Sequence, residues 1–154
     1  MSDSRIQVQA ADFDVGAEVA RLSRDEIGVG AVVVFIGVCR SEDGRLAAIE
    51  LEHYPGMAEE EIARIAREAS QRWSLAGLTI IHRFGRIVPG ENIMLVATAS
   101  LHRQAAFAAA EFLMDFLKTH APFWKKELPA ADNTATWVGA RADDDLSTRR
   151  WSRE

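Results

Sequence analysis

Apolar and polar residues change period several times along this chain, and each change marks an element. RIQVQA (5–10) alternates strictly and predicts a short first strand. Asp14 then caps a helix with Val15, Val19 and Leu22 at helical spacing. GAVVVFIGVC (30–39) is an unbroken, β-branched apolar run, the pattern of a strand covered on both faces. SEDGR (41–45) supplies a polar turn, and LAAIELEHY (46–54) returns as another strand. After Tyr54-Pro55-Gly56, a helix carries Ile62, Ile65, Ala66, Ala69 and Trp73 on one stripe. LTIIHRFG (78–85) and ENIMLVATAS (91–100) flank Val88-Pro89-Gly90-Glu91 and predict a hairpin pair. A helix follows from about His102 to Lys118, and TATWV (134–138) forms a last short strand. Residues 1–141 make one domain, and 142–154 form a charged C-terminal tail.

Because the central connection is a hairpin, the expected class is α+β, a sheet with helices on one side. A doubly wound nucleotide fold is disfavoured, since Gly28, Gly30 and Gly37 precede or interrupt a strand, whereas a phosphate-binding loop follows one. A net charge of −5 argues against nucleic acid or anionic membrane as partners. No apolar run is long enough for a membrane span, and the N-terminal segment lacks a secretory signal. The one cysteine, Cys39, can make neither an internal disulfide nor a multi-cysteine metal site. A soluble cytoplasmic protein is expected.

The helix after SLHR is apolar on two sides. Ala106, Phe107, Ala110, Leu113, Met114 and Leu117 form one stripe, expected in the core. Ala105, Ala109, Phe112 and Phe116 form a second, turned from the first by roughly 130°. Two faces need two partners: the sheet, and either another helix of the same fold or a second copy of the chain.

Candidate chemistry centres on LKTHAPFWKKE (117–127), where lysines bracket a rigid Ala-Pro turn bearing two aromatics. Such a wall can desolvate an ammonium group and lower its pKa toward neutrality. Arg40 stands at a strand end, and His102-Arg103 opens the two-sided helix where free N–H groups favour an anion. Each alone reads as an ordinary surface or capping residue. Cys39 reads as packing, and His53, His82 and His120 lack metal-ligand spacing, so neither a metal nor a resident cofactor is expected.

Taken in order, VCR (38–40), LEHYPGM (51–57), IHRFGRIVPGE (81–91), SLHR (100–103) and LKTHAPFWKKE resemble the catalytic (large) subunit family of molybdopterin synthase. The resemblance implies an α/β hammerhead-type fold, with a mostly antiparallel sheet packed by helices and additional antiparallel strands. It implies a sulfurtransferase of molybdenum cofactor biosynthesis that converts cyclic pyranopterin monophosphate to molybdopterin. The implied sulfur donor is the C-terminal Gly-Gly thiocarboxylate of a small ubiquitin-like subunit, bound in a heterotetramer built on a large-subunit homodimer. By the same resemblance Lys118 and Lys125 match catalytic lysines. Arg40, His102, Arg103 and Arg141 match substrate-pocket positions, and Val38, Cys39, Lys126 and Glu127 lie in pocket-lining segments. Val38 departs from relatives that carry lysine there.

Fifteen positions separate Arg103 from Lys118, about 22 Å along one helix. One small-molecule site cannot easily use both from one chain. Antiparallel pairing of two such helices through the second stripe would bring His102-Arg103 of one copy near Lys118 of the other. The competing readings are a Schiff-base lysine enzyme and a passive module that docks a peptide tail.

Overall fold

A computed structural model describes residues 3–24, 26–130, 136–138 and 147–152. The alternating segments build two four-stranded sheets rather than one. The first contains β1 (Asp3–Gln9), β2 (Ala31–Val38), β4 (Gly77–Arg83) and β6 (Asn92–Ser100), in the order β1-β4-β6-β2. The second contains β3 (Leu46–His53), β5 (Gly85–Ile87), β7 (Phe123–Pro129) and β8 (Thr136–Val138), in the order β5-β3-β7-β8. Among the described residues, β1 and β4 alone pair in parallel and the other neighbouring pairs are antiparallel. Among the described residues the long helices are α1 (Val15–Ser23), α2 (Met57–Arg72) and α3 (Arg103–Thr119), and a short 3-10 turn spans Glu42–Gly44.

Side-chain alternation on the first sheet sorts its two cores. Leu78 and Ile80 of β4, with Met94 and Val96 of β6, face α2 and α3. Ile81, Leu95, Ala97 and Ala99 face the opposite way and pack with Leu22 and Val15 of α1. Helices therefore cover both faces, correcting the one-sided expectation. The Asp14 cap forms as expected, its Oδ1 accepting from the Ala17 N–H at 3.0 Å.

The apolar run 30–39 also lands differently. β2 is an edge strand, with Phe35 40% and Val38 49% exposed, while β4 is the strand buried along its whole length. An apolar run reports what covers a strand's faces and says nothing about whether both edges are paired. β4 and β6 do pair antiparallel, from Gly77↔Ala99 to His82↔Met94. The connection between them detours through β5, which crosses to the second sheet and pairs with β3. The Val88–Glu91 turn closes that detour: Gly90 has φ +94° and the Glu91 N–H donates to the Val88 carbonyl at 3.1 Å.

The second apolar stripe of α3 is covered from within the chain. Ala109 and Phe112 are buried. Phe112 meets Trp73 at the end of α2 edge-on at 5.3 Å, and Trp151 of the C-terminal segment at 5.6 Å. Trp151 is held further by Arg72, which donates to its carbonyl, and by its indole N–H donating to Asp115. This surface is therefore not open to a second copy, contrary to the pairing inferred from the stripe. Phe107, expected in the core, is instead 60% exposed near the start of α3. Among the described residues no helix is long and apolar enough to cross a membrane.

Candidate active site

α3 follows β6 directly and runs back over it. Buried Thr98 fixes this return by donating from Oγ1 to the Ala106 carbonyl at 2.7 Å. The last turn of α3, with Lys118, therefore lies over the beginning of β6. β2 ends at that same end of the sheet, where Val38 pairs with Asn92. Cys39 continues the pairing: its N–H donates to the Glu91 carbonyl, and its own carbonyl accepts from the Gly90 N–H, each at 2.8 Å. Arg40 comes next, exposed, with its guanidinium 3.3 Å from Glu42.

β7 reaches this neighbourhood through the Ala121-Pro122 turn. The Phe123 N–H donates to the Ala121 carbonyl at 2.8 Å, closing a three-residue turn centred on Pro122, whose fixed φ suits it. Strand alternation then separates the two adjacent lysines. Lys125 is registered with Leu51, on the face it shares with Phe123, and is half-buried. Lys126 lies on the opposite face, its Nζ 3.4 Å from Glu52 and 4.4 Å from the centre of the Trp137 ring. Trp124 also faces that way, 43% exposed, edge-on to Tyr54 at 5.2 Å. Of the expected aromatic wall, only Phe123 stands on the side of Lys125. Glu127, registered with Ile49, is exposed.

Two histidines that carried no weight in the sequence gather here. His82 stacks on Phe123 with ring centres 3.8 Å apart and planes 15° apart. His53, registered with Phe123, stacks on it at 5.7 Å and meets Phe84 at 4.5 Å. His82 Nδ1 lies 2.9 Å from the Arg83 carbonyl. A carbonyl can only accept, so Nδ1 carries the proton and Nε2 the lone pair. Burial lowers the His82 pKa to about 4, and the charges of Lys118 and His53 push it the same way. The imidazole is thus neutral at physiological pH, and Lys118 lies within electrostatic reach. The sequence signal was present: Leu78, Ile80 and His82 share one face of an apolar strand, which places a polar ring in the core.

Cys39 packs with Ile49, Leu51 and Ile87, only 3% exposed, its Sγ 3.8 Å from the Ile87 carbonyl. Burial raises its thiol pKa, and Glu91 adds to the effect, so it is a neutral packing group. Lys125 opposes that shift, which places the Lys125 charge near the same cluster.

One end of the molecule therefore holds Arg40, Lys118 and Lys125. His102, the N-cap of α3, and Arg103, its first residue, stand at the far end of the 17-residue helix and do not join them within one chain. Lys118 is exposed, so the expected desolvation is not supplied by the single chain. Arg141 lies outside the described residues.

Residues 8–120 match the family model described as MoaE protein. The molybdopterin synthase catalytic subunit of Rhizobium meliloti is 59% identical over 148 residues, covering 96% of each chain. A molybdopterin biosynthesis MoaE protein from Burkholderia ambifaria shares the fold at a TM-score of 0.83, with 46% identity and full coverage of both chains. The crystal structure of molybdopterin synthase from Staphylococcus aureus aligns at 0.77, with 28% identity over 86% of this chain and 95% of that one. A family match across most of the sequence, a relative more than half identical along nearly all of it and a superposable fold agree: the chain belongs to the MoaE protein family.

Proposed function

We propose that this chain is the catalytic subunit of a molybdopterin synthase, converting cyclic pyranopterin monophosphate to molybdopterin. The sulfur comes from the thiocarboxylated Gly-Gly terminus of a small ubiquitin-like partner. Each transfer forms a C–S bond on the pterin side chain and breaks the acyl C–S bond of the partner, whose terminus leaves as carboxylate with an oxygen from water. The observation that carries this reading is the placement of Lys118, Lys125 and Arg40 toward one end of a MoaE-family fold.

The residue types suit the charges involved. Arg40, with Arg103 and His102, supplies multidentate cationic donors for a cyclic phosphate and a pterin. Lys118 and Lys125 stabilise the developing anion and move protons during attack and release. Arg141 completes the cationic set, and the Val38–Arg40 segment lines the pocket with Lys125 and Glu127, which share one face of β7. The mobile sulfur arrives on the partner, so Cys39 takes no part in transfer; its burial fits that role. Cytoplasmic residence belongs to the same proposal and suits a lone free thiol.

His102 and Arg103 reach this site from a second copy. The helix that separates them from Lys118 is continuous, about 22 Å between the two positions. A homodimer with shared sites, forming the core of a heterotetramer, resolves the separation. Phe35 on the β2 edge, with Leu101 and Phe107 at the start of α3, offers exposed apolar surface for that contact.

The test is incubation with the pterin precursor and the thiocarboxylated small protein, followed by dithiolene detection. Dithiolene formation that depends on Lys118 supports the reading. Tail binding without turnover would reduce the chain to a docking module. Borohydride trapping of a lysine adduct with a carbonyl compound would point to Schiff-base chemistry instead.

A further inference from the structure

Only three residues, His120 to Pro122, connect the helix that carries Lys118 to the strand that carries Lys125. Two ammonium groups serving one reaction need a fixed relative placement, and a short connection does not by itself supply it. A lysine side chain has four rotatable bonds, and an exposed turn bends easily. What stiffens this connection is the ring of Phe123.

That ring is held from two sides of the fold. His82 comes from β4, deep in the first sheet, and stacks nearly parallel on Phe123 at 3.8 Å. His53 comes from β3 in the second sheet, stacks on Phe123 at 5.7 Å and rests on Phe84 at 4.5 Å. The four rings join the end of β4, the end of β3 and the beginning of β7. His82 is itself fixed, because its Nδ1–H donates to the Arg83 carbonyl and it sits on a wholly buried strand. Phe123 and Lys125 are two positions apart on one strand face, so their Cα atoms are about 7 Å apart. Tilting the phenyl ring therefore moves the root of Lys125.

We propose that His82 is a positioning residue for sulfur transfer: by stacking on Phe123 it sets the turn between α3 and β7 and so the relative placement of Lys118 and Lys125. The inference rests on the function proposed above for the two lysines. It assigns His82 no contact with substrate and no proton to transfer. Its contribution is a flat, uncharged ring rigidly mounted in the core, which can lie near Lys118 without repelling it. A protonated imidazole at the same place would push Lys118 away.

The test compares His82→Ala, which removes the ring, with His82→Phe, which keeps a ring and loses both nitrogens, each in the full chain assembled with its thiocarboxylated partner. For folded His82→Ala, we expect kcat for sulfur transfer to fall about 10-fold or more, as misplaced catalytic groups do. KM for the pterin and affinity for the small protein should stay within about 2-fold. His82→Phe should recover most of the lost kcat. An unchanged kcat in folded His82→Ala, or equal losses in the two variants, would overturn the proposal.

A second readout does not depend on turnover. Competitive acetylation followed by mass spectrometry compares Lys118 and Lys125 with Lys126 on the other face of β7. His82→Ala should change the reactivity of the first two relative to the third. If wild-type protein transfers sulfur but these ratios do not move, the positioning role fails while the proposed function stands. If the ratios move but wild-type protein makes no dithiolene, the function fails and the positioning role survives it.

Discussion

Lys125 and Lys126 are chemically identical and adjacent, yet they occupy different environments. Lys125 shares a strand face with Phe123 and Leu51; Lys126 pairs with Glu52 and lies over Trp137. Lys125→Ala should lower the rate of dithiolene formation by about 100-fold or more while leaving the protein folded, because general acid–base groups contribute on that scale. Steady-state turnover with circular dichroism as the folding control checks it, and activity near wild type would remove Lys125 from the mechanism. His82 makes a separate prediction about acid stability. Its pKa is lowered from 6.5 to about 4 in the fold, so the unfolded chain binds the extra proton between those values. The stabilisation is complete above pH 6.5 and is lost as pH falls toward 4, on the order of 3 kcal/mol in all. Urea denaturation of wild type and His82→Phe across that window should show a steeper decline in the wild type; parallel curves would mean that His82 does not titrate this way. At this scale the lysines were legible as a motif. For the histidines, strand alternation could place the His82 ring in the core, but their meeting was not legible, because a stack joining residues 53, 82 and 123 leaves no short-range spacing in the sequence.

Among the elements, α3 shows how far periodicity reaches. Two apolar stripes correctly required two partners, and the bounds Arg103–Thr119 fall close to those read from the pattern. The identity of the second partner could not be read, since a stripe records that water is excluded and not what excludes it. Here α2 and Trp151 do so. Trp151 contributes ring contacts with Trp73 and Phe112, and its indole N–H donates to Asp115. Trp151→Ala should destabilise the chain by about 2–3 kcal/mol, somewhat under the cost of truncating a fully buried Trp. Chemical denaturation measures it, and a change under about 0.5 kcal/mol would show that the C-terminal segment adds no stability. The apolar run of β2 was misread for a related reason: side-chain pattern carries no information about strand order, which set β2 at an edge and β4 inside.

For the whole molecule, the length of α3 becomes a statement about assembly. If His102-Arg103 of one copy serves Lys118 of another, then in a dimer of one Arg103→Ala chain and one Lys118→Ala chain, one site carries both substitutions and the other neither. Random mixing puts half the molecules in that form, so about a quarter of wild-type activity should return from two inactive proteins. Assay of a reassociated mixture, with mixed dimers verified by native mass spectrometry, decides this. No recovery would mean that each chain builds its site alone.

Residue pattern alone determined the mixed α+β character, most of the element boundaries, the Asp14 cap, the Pro89-Gly90 turn and the lysine-flanked segment with its family resemblance. These depend on interactions within a few positions of one another, and such interactions are written into local spacing. Tertiary structure alone decided that the strands divide into two sheets, that helices cover both faces of the first, that Trp151 closes over α3, and that His53 and His82 meet at Phe123. Those outcomes depend on which distant surfaces find each other. A single residue's polarity constrains that it be buried, but leaves open against what.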